Sequence, residues 1–121
     1  MYMDSKFLIE LAAEACDDRK AINIQLIRIE EVSSLADWLL ITEGMSDVQV
    51  RAIITSVEKK LKQEANRVPL RKEGLDQGKW ALLDYGDIII NVFQPIQRKY
   101  YDLEAFWGNG EVHVFKQLHE Q

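Results

Sequence analysis

The stretch WALLDYGDIIINVF, residues 80–93, decides the fold of this chain. Two apolar runs rich in β-branched residues flank a polar Asp-Tyr-Gly-Asp segment, which is the pattern of a β-hairpin. Gly86 can take the positive φ that a tight turn needs, so we expect Tyr85 and Gly86 to be the two turn residues. That turn places Trp80 opposite Asn91 near the far end of the paired strands.

The predicted hairpin has two unlike faces, because successive side chains of a strand point to opposite sides of a sheet. One face is entirely apolar and predicts core: Ala81, Leu83, Ile88, Ile90 and Val92. The other face mixes apolar and polar residues around a tryptophan, and it comprises Trp80, Leu82, Asp84, Asp87, Ile89, Asn91 and Phe93. Such a mixture indicates a binding surface that is open to water, with a buried core tryptophan as the alternative.

The clearest helix begins after Ser46. The Ser46 hydroxyl and the Gln49 side chain have the spacing of a capping box, and Met45 with Val50 fits a hydrophobic staple. One apolar stripe then recurs at helical spacing through Val50, Ile53, Ile54, Val57, Leu61 and Ala65. These signals predict a helix from Asp47 to about Ala65.

The remaining pattern predicts a single α/β domain. A helix is expected from about Ser5 to Arg19, and strands at residues 22–29, 38–41 and 68–70. Pro95 can start a last helix. The order α-β-β-α-β-β-β-α predicts a mixed β-sheet flanked by helices, with a loosely attached tail after Gly110.

Composition and charge exclude several classes of protein. The chain has 121 residues, 47% of them hydrophobic, and a net charge of -5. Neither half is basic, so we expect little direct contact with nucleic acid. Cys16 is the only cysteine, which excludes an intramolecular disulfide and favours a cytoplasmic location. The N-terminus lacks the pattern of a signal peptide, and every apolar run is too short to span a membrane.

An ordered series of motifs covers about three quarters of the chain from Ala36 onward. On these motifs the chain resembles the ribosomal silencing factor family, RsfS and Iojap, and no single motif is diagnostic. The matching stretches are Ala36–Ile41, Gly44–Val50, Glu73–Trp80, Leu82–Asp87, Val92–Pro95, Arg98–Glu104 and Trp107–Gly108. The chain departs from the family's usual residues at Asn91, where His is common, and at Trp38-Leu39, where Tyr-Phe is commoner.

The resemblance implies a fold and a function. The implied fold is an α/β domain of nucleotidyltransferase-like topology at residues 1–108, followed by a variable tail at residues 109–121. The implied function is to bind the fourteenth large-subunit ribosomal protein and sterically block association with the small subunit. Translation is thereby repressed under nutrient limitation, without catalysis or a cofactor. A homodimer is possible, and the source is either bacterial or an organelle.

We expect the partner-binding residues in two places. The mixed hairpin face supplies Trp80, Leu82, Ile89, Asn91 and Phe93, because tryptophan is frequent among residues that dominate binding energy. The helix after Pro95 supplies Arg98, Tyr101 and Asp102, while Tyr100 and Leu103 have the spacing of core residues.

Two alternatives stay open at this stage. A nucleotidyltransferase-like enzyme could hold nucleotide and Mg²⁺ at the Gly44–Ser46 turn with Asp84 and Asp87, although both aspartates serve a tight turn equally well. A homodimeric adaptor that does not bind ribosomes is the other alternative. His113 and His119 lack the partner ligands of a zinc site, and Cys16 is expected to be a small buried hydrophobe.

Overall fold

A computed structural model of the chain describes residues 4–115. Its helices are α1 (Ser5–Asp18), α2 (Asp47–Ala65), α3 (Pro95–Tyr101) and α4 (Leu103–Phe106). Its strands are β1 (Ile22–Arg28), β2 (Trp38–Glu43), β3 (Arg71–Glu73), β4 (Trp80–Asp84), β5 (Ile88–Phe93) and β6 (Glu111–Val114). Over these residues the strands form one sheet in the order β3-β4-β5-β2-β1-β6.

The sheet is mixed, as the sequence predicts. Strands β2 and β5 run parallel at its centre, and the other neighbouring strands are antiparallel. The two central strands are buried almost throughout, which matches their continuous apolar sequences. Among the described residues, no helix is both long and apolar enough to cross a bilayer.

The β4–β5 hairpin has a different register from the one predicted. Trp80 pairs with Phe93 instead of Asn91, a shift of two residues. Because side chains alternate with a period of two, such a shift leaves every side chain on its predicted face. The division of the hairpin into two faces is therefore confirmed, although the register was wrong.

The turn of this hairpin explains the shift. Tyr85 N–H donates to the Ile88 carbonyl over 2.9 Å, so Gly86 and Asp87 are the two turn residues. The Tyr85 side chain lies in the core, only 3% exposed, and its burial raises the pKa of its hydroxyl. A residue whose ring packs inside the protein belongs to the strand and not to the turn.

Helices α1 and α2 cover one face of the sheet and form the larger core with it. The predicted cap of α2 is present, because Gln49 N–H donates to Ser46 Oγ over 3.1 Å. In a standard capping box the Gln49 side chain would accept from the Ser46 N–H. Here it accepts instead from the N–H of the preceding residue, Met45, over 2.7 Å. Helix α1 begins similarly, with Phe7 N–H donating to the Asp4 carboxylate. Cys16 is fully buried in this core, as predicted.

The opposite face of the sheet is also covered. Ile27, Leu39, Ile41 and Phe93 form a second buried cluster there, and Leu103 and Trp107 of the segment after β5 pack against it. The expectation that this face is open to water was therefore wrong over most of its area. The chain after Pro95 folds back over it.

Two smaller expectations also change. The short strand expected at residues 68–70 lies at Arg71–Glu73, beyond Pro69. Residues 111–114 of the expected tail form β6, which pairs with β1, so this part is not loosely attached. Residues 116–121 of that tail, which include His119, and the first three residues lie outside the described range.

Candidate protein-docking surface

Aromatic rings connect the second buried cluster, which contains Phe93, to the surface beside β4. The Trp80 ring stacks on buried Phe93 with centroids 4.8 Å apart, and the Tyr101 ring lies 4.6 Å from Trp80. Tyr100 meets Tyr101 edge-on at 5.0 Å. Exposure rises along this series, from 0% at Phe93 to 48% at Tyr101 and 80% at Tyr100. Rings held in this way present apolar area to a partner in a fixed arrangement.

Asn91 lies at the N–H edge of the Trp80 indole. The indole Nε1–H donates to Asn91 Oδ1 over 3.0 Å, and Asn91 Nδ2 donates to the Leu40 carbonyl at 3.4 Å. Asn91 is only 1% exposed, so both bonds are internal to the domain. They fix the side of the indole that faces the sheet.

An open groove of about 610 Å³ lies beside these rings. We call it the Trp80 groove, and it is lined by residues 72–77 and 79 with Trp80, Gln97 and Tyr101. Lys72, Glu73, Asp76 and Lys79 give its wall two charges of each sign. A concave surface lined by two aromatic residues and by charged residues of both signs has the general composition of a protein-binding site.

Arg98 does not face a partner, contrary to the sequence-based expectation. Its side chain is 8% exposed and donates to Glu104 Oε2, to Glu43 Oε2 at 3.0 Å and to the Asn23 carbonyl at 2.7 Å. Asn23 adopts a left-handed φ of 53° beside an irregularity in the β1–β2 register, and its carbonyl accepts from Arg98. Arg98 thus forms buried ion pairs with Glu43 and Glu104, and these pairs fix α3 and α4 on the sheet.

The structure divides the predicted site residues into two groups. Ile89, Asn91, Phe93 and Arg98 are buried and can only support a docking surface. Trp80 and Leu82 are half-buried, while Tyr101 and Asp102 are exposed. The two groups arise because the segment after β5, with Leu103 and Trp107, covers much of the strand face that the sequence predicted to be free.

The sequence-based prediction of the docking surface missed two contributors. Tyr100 has the spacing of a core residue, yet its ring is 80% exposed. The wall at residues 72–77 comes from the end of β3 and the loop that follows it, where Gly74 adopts a φ of +80°. The family motif Glu73–Trp80 contains this loop, so it is the sequence feature from which the wall could have been predicted.

The residues of the alternative enzyme site are not brought together. Asp37 N–H bonds the Asp87 carbonyl at one end of the β2–β5 pair, and Gly44 N–H bonds the Phe93 carbonyl at the other. A strand of this length separates the two ends by about 20 Å, since each residue rises roughly 3.3 Å. Asp87 instead forms an ion pair with Arg67, with 2.7 Å between Asp87 Oδ1 and Arg67 Nη2. No cluster of three or more potential metal ligands exists in residues 4–115.

Six basic side chains lie at residues 59–72, around the end of α2, and four of them are paired with carboxylates within the domain. Lys60 pairs with Glu14 and Glu64, and Lys72 pairs with Glu58. The bidentate bond from Arg67 to Asp87 raises the pKa of the Arg67 guanidinium. These pairs leave little unpaired positive charge in this stretch for phosphates.

Comparison with known proteins gives concordant matches. A protein-family model described as "Ribosomal silencing factor during starvation" matches residues 2–121. Ribosomal silencing factor RsfS of Bacillus subtilis is 40% identical over 108 residues, covering 88% of this chain and 90% of the relative. The chloroplastic protein Iojap of Arabidopsis thaliana is 34% identical, covering 85% of this chain and 42% of the relative. A crystal structure of a Chromobacterium violaceum protein superposes with a TM-score of 0.85 at 33% identity, covering 97% of this chain and 98% of that one.

Proposed function

The chain belongs to the ribosomal silencing factor family, and we propose that it binds the large ribosomal subunit through the Trp80 groove and its neighbouring aromatic residues. The proposed partner is the fourteenth large-subunit ribosomal protein, which the family resemblance implies. A domain bound on that face sterically prevents the small subunit from associating. Translation in the cytoplasm falls as a result, and the proposed occasion is nutrient limitation.

One observation supports the site of this contact more than any other. Trp80 and Tyr101 hold each other and Phe93 in place before a partner arrives. Binding to rings that are already ordered loses less side-chain entropy than binding to mobile ones. Leu82 and Asp102 complete the set of predicted contacts that are not buried.

The area required indicates how far the contact extends. A stable interface buries roughly 800 Å² on each partner. The accessible surface is 7200 Å² in total, so about one ninth of it must be covered. The outer side of α3, where Ile96 is 78% and Tyr100 is 80% exposed, adjoins the Trp80 groove through Tyr101 and supplies further apolar area.

Charge supports a protein partner over ribosomal RNA. The net charge is -5, and the wall of the Trp80 groove carries equal numbers of acidic and basic side chains. Binding that depends on phosphates requires an excess of positive charge. The proposed inhibition is purely steric and needs no catalytic group or cofactor.

Substitution of Tyr101 gives the cleanest test, because its ring is 48% exposed and its loss leaves no deep cavity. Phe7 is the matched control, since its ring is 45% exposed but lies on α1, over the opposite face of the sheet. Cosedimentation with isolated large subunits should show weaker binding for Tyr101→Ala and normal binding for Phe7→Ala. A subunit-joining assay should show the same order.

Trp80→Ala should lower affinity further, by about 2 kcal/mol or roughly 30-fold, if Trp80 is a dominant contact. Its melting temperature must be measured as well, because Trp80 also packs on Phe93. Normal binding by folded Tyr101→Ala and Trp80→Ala would refute this site. Failure of the wild-type protein to bind large subunits would refute the function and leave the homodimeric adaptor, which sedimentation of the protein alone would reveal.

A further inference from the structure

The only hydrogen-bond donor of the Trp80 side chain is already used inside the domain. An indole carries one N–H and no acceptor, and here that N–H donates to Asn91 Oδ1 over 3.0 Å. The Asn91 amide is in turn anchored to the Leu40 carbonyl of β2. A partner therefore meets an indole whose polar group is turned toward the sheet.

Ring packing defines which part of the indole is left for a partner. The Phe93, Trp80 and Tyr101 centroids form a triangle with sides of 4.8, 4.6 and 6.4 Å. If Phe93 and Tyr101 sandwiched the indole, their separation would approach the sum of the two shorter sides. Instead they lie on adjacent sides of it, and Trp80 still lines the open groove. The surface offered there consists of ring carbon.

We propose that Asn91 is a positioning residue, which orients the Trp80 ring and sequesters its N–H so that the partner meets an aromatic surface without a donor. This inference rests on the proposed function and deepens it. The negative face of an aromatic ring attracts C–H groups and cations. The partner group against Trp80 is therefore aliphatic or cationic and is not a carbonyl or carboxylate acceptor.

Two substitutions separate the acceptor from the shape of the side chain. Asn91→Leu removes the acceptor, whereas Asn91→Asp keeps an oxygen at the same position. The indole resonance of Trp80 in a ¹H–¹⁵N spectrum, assigned against Trp80→Phe, reports the hydrogen bond directly. We expect Asn91→Leu to shift this resonance, and Asn91→Asp to retain a hydrogen-bonded signal.

Affinity for isolated large subunits should follow the same order. Loss of one hydrogen bond that holds the ring should weaken binding by Asn91→Leu roughly 3- to 10-fold. The loss for Asn91→Asp should be smaller, because this variant keeps the acceptor for Trp80 and loses only the donor to the Leu40 carbonyl. Thr42→Val is the matched control. Thr42 is fully buried on β2, and its hydroxyl donates to the Ile22 carbonyl over 2.8 Å. This variant should lose stability without losing affinity.

A double-substitution cycle tests whether Asn91 acts through Trp80. In the Trp80→Phe background, which has no indole N–H, Asn91→Leu should cause no further loss of affinity. An equal loss in both backgrounds, or wild-type affinity for Asn91→Leu, would overturn the inference. An unshifted Trp80 resonance in Asn91→Leu would overturn it without reference to ribosomes, so its failure is distinguishable from failure of the proposed function.

Discussion

Arg98 Nη1 lies 3.0 Å from Glu43 Oε2 and so connects α3 to the last residue of β2. The two side chains are 8% and 14% exposed, and 55 residues separate them in sequence. Glu104 Oε2, 2.7 Å from Arg98 Nη2, adds the next helix to the same ion pair. The position of α3 and α4, which cover the second buried cluster, depends on the Arg98 guanidinium.

Arg98→Ala should therefore destabilise the domain strongly. The substitution leaves two carboxylates partly buried without their cation, which costs about 3–5 kcal/mol when one partner of a buried pair is removed. Urea denaturation monitored by circular dichroism would measure the loss. Arg71→Ala is the control, because Arg71 pairs with Glu73 and Asp84 but is 56% exposed. Equal losses for the two variants would contradict the role assigned to Arg98.

Ser46→Ala should lower the free energy of unfolding by about 1 kcal/mol, since the Gln49 N–H loses its acceptor at the start of α2. Thr55→Ala in the middle of the same helix should have a small effect of the opposite sign, because alanine has the higher helix propensity. Thermal unfolding of both variants checks the prediction. A destabilisation by Thr55→Ala as large as that by Ser46→Ala would argue against the cap.

Gly74→Ala and Gly86→Ala compare two glycines with similar backbone strain. Their φ values are +80° and +92°, so alanine costs roughly 1–2 kcal/mol at either position. At Gly74 the added Cβ would also lie 1.9 Å from the Trp80 carbonyl oxygen, whereas at Gly86 its nearest neighbour is Leu70 Cδ1 at 3.3 Å. Gly74→Ala should be clearly the less stable variant and should bind large subunits less well. Equal stability of the two would show that the clash is relieved.

Cys16 should be unreactive in the folded protein. Burial raises the pKa of its thiol, and nearby Asp17 adds to the shift, so the nucleophilic thiolate does not form. In the unfolded chain the thiol titrates near its ordinary pKa of roughly 8.5, and the stability of the folded state falls as the pH rises above that value. Alkylation by iodoacetamide should follow global unfolding in urea. Rapid alkylation without urea would contradict this, and Cys16→Ala should lose less stability at high pH.

Local signals predicted the parts of the fold that are decided locally. The cap at Ser46 and the apolar stripe of α2 lie within a few turns of one helix, and both were read from adjacent residues. The division of β4 and β5 into two faces was equally secure because it depends only on alternation. The turn was misplaced by one residue, since nothing adjacent to Tyr85 reveals that its ring lies in the larger core.

The docking surface was only partly predictable, because distant residues decide which face is covered. Arg98 has the sequence context of an exposed helical cation, and its acceptors Asn23 and Glu43 lie 75 and 55 residues away. Phe93 and Asn91 are buried for the same reason, because distant residues cover the strand face on which they lie, and they can only support the docking surface from below. Strand β6 was missed because it has only four residues, all exposed, so the alternation of Val112 and Val114 with polar residues is too short to be distinctive.

The parallel pairing at the centre of the sheet has a consequence for how the molecule folds. Trp38 of β2 lies beside Ile88 of β5, so closing this pair joins segments 50 residues apart, while the β4–β5 hairpin needs only its own turn. Loop-closure entropy must be lost before such distant contacts contribute, and proteins rich in them fold slowly. The hairpin that carries Trp80 can therefore form early, and the ordered aromatic surface is complete only after the central strands have met.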